Sequence, residues 1–332
     1  MSLPMKKISI VIPVFNEATN IVKLYDELII VLSKLDCNFE FIFVDDGSTD
    51  KSLSVIKELV GLNHNIFFIE LSKNFGHQYA LKAGLDFSTG DAVITMDSDL
   101  QHPPKVIIDL VTKWREGYDI VYTLRKDDKK LPWFKRTTSR FFYSLLNNLS
   151  GLKLEEGTAD FRLMGRNVVN AIIQLKENEL FIRGLVKWAG FHQISVTYDA
   201  HDRYSGKSKY SLGKMVSFGF RAITSFSVKP LKLIAYTGLL LFTLSLILIP
   251  YALISYFLGN TISGWTSIMI TIIFFGSLQL LMLGIIGLYL SKIAIQSKQR
   301  PLYLVRDTNY APQLQHEPSA QKDKSENSSS LL

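Results

Sequence analysis

From Lys7 to Tyr122 the chain alternates short runs rich in Val, Ile and Phe with longer segments whose apolar residues recur every three or four positions. The short runs suit buried strands and the longer period suits helices packed on them, so the pattern predicts an open α/β sheet. The predicted strands are Ile8–Val14, Phe39–Val44, Ile66–Leu71, Ala92–Met96 and Ile120–Thr123, with a further one at Ile194–Tyr198. In such a sheet ligands bind beyond the carboxyl ends of the strands. The unusual residues fall there: Pro13-Val14-Phe15-Asn16-Glu17 after the first strand, Asp45-Asp46-Gly47-Ser48-Thr49-Asp50 after the second, and Asp97-Ser98-Asp99-Leu100-Gln101-His102 after the fourth.

Farther along, the pattern changes character. Two runs, Leu233–Leu258 and Trp265–Leu290, contain no Asp, Glu, Lys or Arg. Each is long enough to cross a hydrocarbon core of about 30 Å, which predicts two transmembrane helices. Lys229 and Lys232 precede the first run, Lys292, Lys298 and Arg300 follow the second, and the turn around Asn260 is uncharged. The positive-inside rule then places both ends in the cytoplasm. From Arg203 to Lys232 there are seven basic residues and no acids, interleaved with Leu212, Met215, Val216, Phe218, Ile223 and Phe226 at helical spacing. Short amphipathic helices lying in the membrane interface are expected there. Beyond Arg306 the chain is polar and aperiodic, and disorder is expected. The anticipated organisation is an α/β catalytic unit over 1–200, juxtamembrane helices over 201–232, a two-helix hairpin over 233–290 and a tail over 291–332.

Composition adds little to this picture. An apolar share of 47% is ample for a core, and a net charge of +7 fits an anionic membrane surface. A lone cysteine, Cys37, makes no internal disulfide and is expected as small core filler. Met1–Lys7 shows no signal-peptide pattern and leads straight into a strand.

The candidate chemistry is more specific. Asp97 and Asp99 stand one residue apart at the end of a strand, so an extended backbone directs both carboxylates to one side, where they can share a hard divalent cation with Gln101 adding a neutral oxygen. Asp45 and Asp46 can accept hydrogen bonds from a base or ribose, Gly47-Ser48 forms a turn, and Thr49 or Asp50 starts the next helix. No glycine-rich phosphate loop follows the first strand, which argues against a dinucleotide-binding or P-loop enzyme. Arg125-Lys126, Lys129-Lys130, Trp133-Phe134-Lys135-Arg136 and Arg140-Phe141-Phe142-Tyr143 interleave cations with rings. That pattern can bind single-stranded nucleic acid, but beside two membrane helices a phospholipid-facing surface is expected.

Ile12-Pro13-Val14-Phe15-Asn16-Glu17, Val44-Asp45-Asp46-Gly47-Ser48-Thr49-Asp50, Asn74-Phe75-Gly76-His77-Gln78 and Met96-Asp97-Ser98-Asp99-Leu100-Gln101-His102-Pro103-Pro104 together resemble the inverting GT-A glycosyltransferases of family 2. Within these the likeness is to the polyprenyl-phosphate glycosyltransferases, and it covers about Lys6 to Arg300. It implies a GT-A nucleotide-sugar-binding domain with a mixed, mainly parallel sheet. It implies that Pro13, Phe15, Glu17, Asp45, Asp97 and Ser98 hold the nucleotide sugar, and that Asp99 and Gln101 ligate Mg²⁺ or Mn²⁺, with Asp99 also catalytic.

Thr158-Ala159-Asp160-Phe161-Arg162-Leu163 resembles the family's acceptor-site motif, with Asp160 as a catalytic candidate that is either a general base or an orienting group. The motif usually continues into Asp-Arg, and here Gly165-Arg166 stands instead. The acceptor phosphate is assigned to Arg125, Arg136, Arg140, Arg162, Arg203, Lys207 and Lys209. Phe181–Trp188 also resembles the family, either as a helix packing Leu185 and Trp188 beneath the site or in direct contact with it.

The implied activity is inverting transfer of a sugar, glucose from UDP-glucose, to undecaprenyl phosphate at the cytoplasmic face of a bacterial inner membrane. A GDP-mannose or modified-arabinose donor is the near alternative, and a non-catalytic membrane scaffold or lipid-translocation partner is the alternative of another class. The retained acidic set weighs against the scaffold. A processive polysaccharide synthase is disfavoured because no Gln-x-x-Arg-Trp motif is present. The expected partners are the nucleotide sugar, the polyprenyl phosphate, the membrane and a second copy of the chain, with no nucleic acid.

Overall fold

The computed structural model describes residues 5–125, 155–199 except 156, 176, 178 and 179, 227–240, 264–310 and the isolated residues 147, 243, 254 and 258. The first 125 residues give β1 (Lys7–Val14), α1 (Ile21–Leu32), β2 (Asn38–Asp45), α2 (Ser52–Leu62), β3 (Ile66–Leu71), α3 (His77–Phe87), β4 (Ala92–Thr95), α4 (Val106–Arg115) and β5 (Ile120–Arg125). Then follow β6 (Thr158–Gly165), α5 (Arg166–Gln174), α6 (Ile182–Trp188), β7 (Gln193–Tyr198), α7 (Trp265–Ser297) and β8 (Val305–Thr308).

The strands form one eight-stranded sheet in the order β7-β5-β6-β4-β1-β2-β3-β8. Six strands run one way, and β6 and β8 run against them. Alternation along β1 builds a core on each face. Ile8, Ile10, Ile12 and Val14 pack with α1, α2 and α4, whereas Val11 turns to the face covered by α3, α5 and α6. On that second face Gly84 of α3 lies against Val11, and a Cβ there would sit 2.1 Å from its methyl group.

Two elements depart from expectation. Thr158–Gly165, expected only as a motif, is a central strand between β4 and β5. Disorder beyond Arg306 is corrected for residues 306–310, because β8 pairs antiparallel with β3 and is tied down by its side chains. Arg306 Nη1 lies 3.1 Å from Glu70, Lys57 Nζ lies 2.8 Å from Asp307, and Asn309 Oδ1 accepts the Phe68 N–H at 2.7 Å. Those tertiary partners supply the order that the local pattern lacks.

Among the described residues one helix is long and apolar enough to cross a membrane, over Phe274–Ser297 within α7. The expected second span is not seen as such. Residues 229–240 are helical, and most of the remaining uncharged run lies outside the described residues, as do 201–226 and the tail after 310. Cys37 packs beside the first core as expected, and its Sγ accepts a hydrogen bond from Arg115 Nη2 at 3.1 Å.

Candidate active site

The carboxyl ends of β1 to β4 converge on one lip, and Pro13 helps open it. β1 pairs with β4 only as far as Val11 opposite Thr95, and the Met96 N–H closes on the Val11 carbonyl. Pro13 falls two residues on, on the same side of β1, and its missing N–H leaves no donor stranded where β4 turns away. Its ring is buried beside Val44, at the lip where the family likeness places the nucleotide.

Two loops are locked together at this lip. Asn16, with φ +58, accepts the Thr49 N–H at 2.8 Å and the Asp50 N–H at 3.3 Å through Oδ1, while its own N–H reaches Ser48 Oγ at 3.0 Å. Glu17 donates its N–H to Ser52 Oγ and accepts from Asn20 Nδ2. Gly47 has φ +70, and a Cβ there would lie 2.6 Å from the backbone of Lys73 and Asn74, so only glycine lets this loop approach a third one, before α3.

The paired acids Asp45 and Asp46 have separate tasks. Asp46 accepts the N–H groups of Phe75, at 2.7 Å, and Gly76, at 2.9 Å, which braces the loop before α3. Asp45 is 2% exposed, accepts only the Ser48 N–H at 3.2 Å among the described bonds, and keeps Oδ1 buried without a partner. Burial pushes its carboxyl above the usual range. A buried acceptor in that state rewards a ligand that brings a donor. Phe15, 45% exposed, follows Val14, the register partner of Asp45, as an uncovered ring.

On the other flank β6 runs antiparallel to β4 with Arg162 opposite Thr95. The ladder ends at that pair, where the Thr95 hydroxyl donates to the Asp160 carbonyl. The Asp160 carboxylate is nearly covered and receives Arg183 Nε and Nη2, both at 2.8 Å, Gln78 Nε2 at 3.2 Å and Arg162 Nη2 at 3.3 Å. Burial works against its charge, but Arg183, His77 and Arg162 overcome that and hold it well below the usual carboxylate range. His77 Nε2 lies 3.4 Å from Asp97 Oδ1 and 3.5 Å from Asp160 Oδ2. The imidazole is 43% exposed, and against a partial desolvation cost the two carboxylates raise its pKa.

Arg162 is 2% exposed, and burial lowers its pKa to about 10. Its Nε is buried without a hydrogen-bond partner, and the residue lines a cleft with Tyr122, Glu155, Thr158, Arg183 and Lys187. Arg125 ends β5 on the same lip, and Tyr198 ends β7 there with its hydroxyl pushed up to about 12 by burial.

Asp97 keeps Oδ1 buried without a well-formed hydrogen bond, and its N–H reaches His102 Nδ1 at 3.3 Å. Ser98 is buried, and Leu100 takes φ +60 to turn the chain. Asp99 is partly exposed and accepts the Gln101 N–H at 3.2 Å. Among the described residues no three His, Cys, Asp or Glu side chains converge as a metal cluster. What Asp97, Asp99 and Gln101 offer is an oxygen-only set, the donor chemistry that suits a hard cation.

The structure thus brings together Phe15, Glu17, Asp45, Asp97, Ser98, Asp99, Gln101, Arg125, Asp160 and Arg162 along one lip. Arg136, Arg140, Arg203, Lys207 and Lys209 lie outside the described residues. Sequence reasoning gave no role to Arg183, His77 and Gln78. For His77 and Gln78 the local signal is a polar pair opening a helix just after Gly76, since a helix N-terminus favours a carboxylate. In α6, Leu185 is buried as expected, but Trp188 is 62% exposed rather than packed.

The family model described as glycosyl transferase family 2 matches residues 9–173. The chain is 42% identical over 302 residues to an uncharacterized glycosyltransferase, sll0501, of Synechocystis sp., covering 91% of this chain and 95% of that protein. A bactoprenol glucosyl transferase of Shigella phage SfV is 38% identical over 302 residues, covering 91% of this chain and 98% of that protein. The putative glycosyltransferase CsbB of Bacillus subtilis is 36% identical over 304 residues, covering 91% and 92%.

Proposed function

The chain belongs to glycosyl transferase family 2, and from that premise we propose that it transfers glucose from UDP-glucose to the phosphate of a polyprenyl lipid, undecaprenyl phosphate, at the cytoplasmic face of a bacterial inner membrane. The observation that carries this reading is the closeness of Asp97 on the donor side to Asp160 on the acceptor side, both within 3.5 Å of His77 Nε2. Relatives named bactoprenol glucosyl transferase, aligned over nearly their whole length, support the choice of sugar and lipid.

In the reaction an oxygen of the lipid phosphate attacks the anomeric carbon as the bond to UDP breaks, which inverts the centre and leaves UDP with its electron pair. Asp45, with its partnerless buried oxygen, takes a hydrogen bond from the donor's base, and Phe15 covers that base. Glu17 shapes the loop on which Phe15 rides. Asp97 and Ser98 border the sugar diphosphate. Asp99 and Gln101 would hold Mg²⁺ or Mn²⁺ with Asp97 beside them, and that cation would neutralise the diphosphate charge. Arg125, Arg162 and Arg183 face the acceptor phosphate, with Arg136, Arg140, Arg203, Lys207 and Lys209 proposed to extend that surface. A phosphate monoester has a second pKa near 6, so the acceptor is mostly a dianion at neutral pH and needs orientation more than a base. Asp160 fits the orienting role, because its charge is committed to Arg183 and Arg162.

The test is to supply the purified protein in turn with radiolabelled UDP-glucose and GDP-mannose and count the lipid-extractable product. Label is expected from UDP-glucose. Label from GDP-mannose alone would reassign the donor, and label from neither would remove the proposal.

Chain continuity supports a membrane hairpin. Residues 7–198 build the sheet, α7 follows as a helix of 33 residues, about 50 Å long, and β8 then returns to pair with β3 of that same sheet. Both ends of the intervening stretch therefore lie on one side of the bilayer, so a crossing by α7 demands a second crossing, which the uncharged run Leu233–Leu258 supplies. With Cys37 replaced, a cysteine at Asn260 is expected to react with an impermeant reagent on intact cells, and one at Ser328 only after lysis. Labelling of position 328 from outside would overturn the hairpin.

A further inference from the structure

One imidazole stands between two carboxylates that the proposed function places on opposite sides of the reaction. His77 Nε2 is 3.4 Å from Asp97 Oδ1 and 3.5 Å from Asp160 Oδ2. Both separations exceed the 2.7–3.2 Å of a good N–H···O bond, and one N–H cannot align on two acceptors at once. The two carboxylates also differ in need. Asp160 is already held by Arg183, Gln78 and Arg162, whereas Asp97 Oδ1 is buried and has no other described partner. Gln78 braces the acceptor side independently: its Nε2 reaches Asp160 at 3.2 Å, and its Oε1 accepts the Ile182 N–H at 3.0 Å, tying α3 to the start of α6. The acceptor-side carboxylate therefore keeps its place without His77.

We infer that His77 is a positioning residue that couples the two halves of the site, its N–H passing between Asp97 and Asp160 so that a change on one side is felt on the other. The inference rests on Asp97 serving the donor and Asp160 the acceptor. Such coupling is reciprocal in binding free energy. When Asp160 loses its charge, the imidazole turns wholly to Asp97 and competes for the oxygen that faces the donor, so donor binding weakens.

The test is a double-mutant cycle on the full chain in detergent, read by calorimetric titration of UDP-glucose in Mg²⁺ buffer. Asp160→Asn is expected to weaken UDP-glucose binding about five- to tenfold with His77 present and less than about twofold in the His77→Ala background. His77→Gln, which keeps an N–H at similar reach, is expected to restore part of the difference, which a purely structural role would not do. If Asp160→Asn does not fold, Arg183→Gln is used with the sign reversed: Asp160, short of a partner, draws the imidazole from Asp97, and UDP-glucose binding should tighten with His77 present and stay unchanged in the His77→Ala background. Equal weakening in both backgrounds overturns the coupling while leaving the donor site intact. If the native protein binds neither UDP-glucose nor, in a second titration, GDP-mannose, the donor reading itself falls and the coupling falls with it.

Discussion

Asp99→Asn is expected to lower the transfer rate by about 10³-fold, the upper end of what one group aimed at developing charge supplies, while the melting temperature stays within about 2 °C. The two halves of that expectation come from different features of one side chain. Asp99 is partly exposed, and among the described hydrogen bonds its carboxylate accepts only the local Gln101 N–H, which asparagine can also accept. Removing its charge therefore costs the fold little, since surface changes of this kind stay near ±0.5 kcal/mol. Removing the same charge from the oxygen set formed with Asp97 and Gln101 weakens its grip on a divalent cation, and the leaving diphosphate loses its counter-charge. The check is transfer rate against Mg²⁺ and Mn²⁺ concentration for native protein and variant. Native rates in the variant, or native activity undiminished by excess chelator, would remove Asp99 from this role.

The second large effect is expected at Asp160, and there stability and activity fall together. Asp160→Asn leaves the buried Arg162 and the half-buried Arg183 without their shared counter-charge, and breaking a buried pair in this way costs about 3 kcal/mol or more. A fall in kcat of about 10²-fold is expected, with a higher acceptor KM, because the arginines that face the acceptor lose their anchor. The pH profile separates an orienting from a base role. A general base would give an acid limb that disappears in the variant. With the carboxyl held well below its usual range, Asp160 stays ionised throughout the working range, and the acid limb near pH 6 belongs to the acceptor's second ionisation and persists in the variant. The stability linkage has the matching sign. A depressed folded-state pKa contributes stability that is fully present above the unfolded value of about 3.9 and is lost only as the pH falls below it. Disappearance of the acid limb in Asp160→Asn would make Asp160 the base after all.

How far the sequence could be read depended on where each residue finds its partners. β1 to β5 were legible because their apolar runs lie at the centre of the sheet, where burial on both faces leaves a continuous Val, Ile and Phe signal. β6 was not, because Asp160 and Arg162 put two charges into a central strand, and only the pairing of those charges with each other and with Arg183 makes their burial tolerable. β8 carries Arg306 and Asp307, whose partners Glu70 and Lys57 lie more than two hundred residues away, so no local period could mark it. The acidic motifs were legible as chemistry because their members are neighbours in sequence. Their division of labour was not, and it took the structure to show Asp45 with an open oxygen and Asp46 fully engaged. The same holds for His77 and Arg183, which meet Asp160 across long stretches of chain.

The central claim is transfer of the sugar alone, with the diphosphate departing on the nucleotide, and the nucleotide released in a single-turnover reaction tests it most directly. Purified protein, undecaprenyl phosphate, Mg²⁺ and UDP-glucose labelled in both the glucose and the uridine should yield UDP in the aqueous phase and, in the organic phase, a lipid carrying one phosphate and one hexose. Release of UMP with a lipid diphosphate, or UDP release with the glucose left in water, would contradict it.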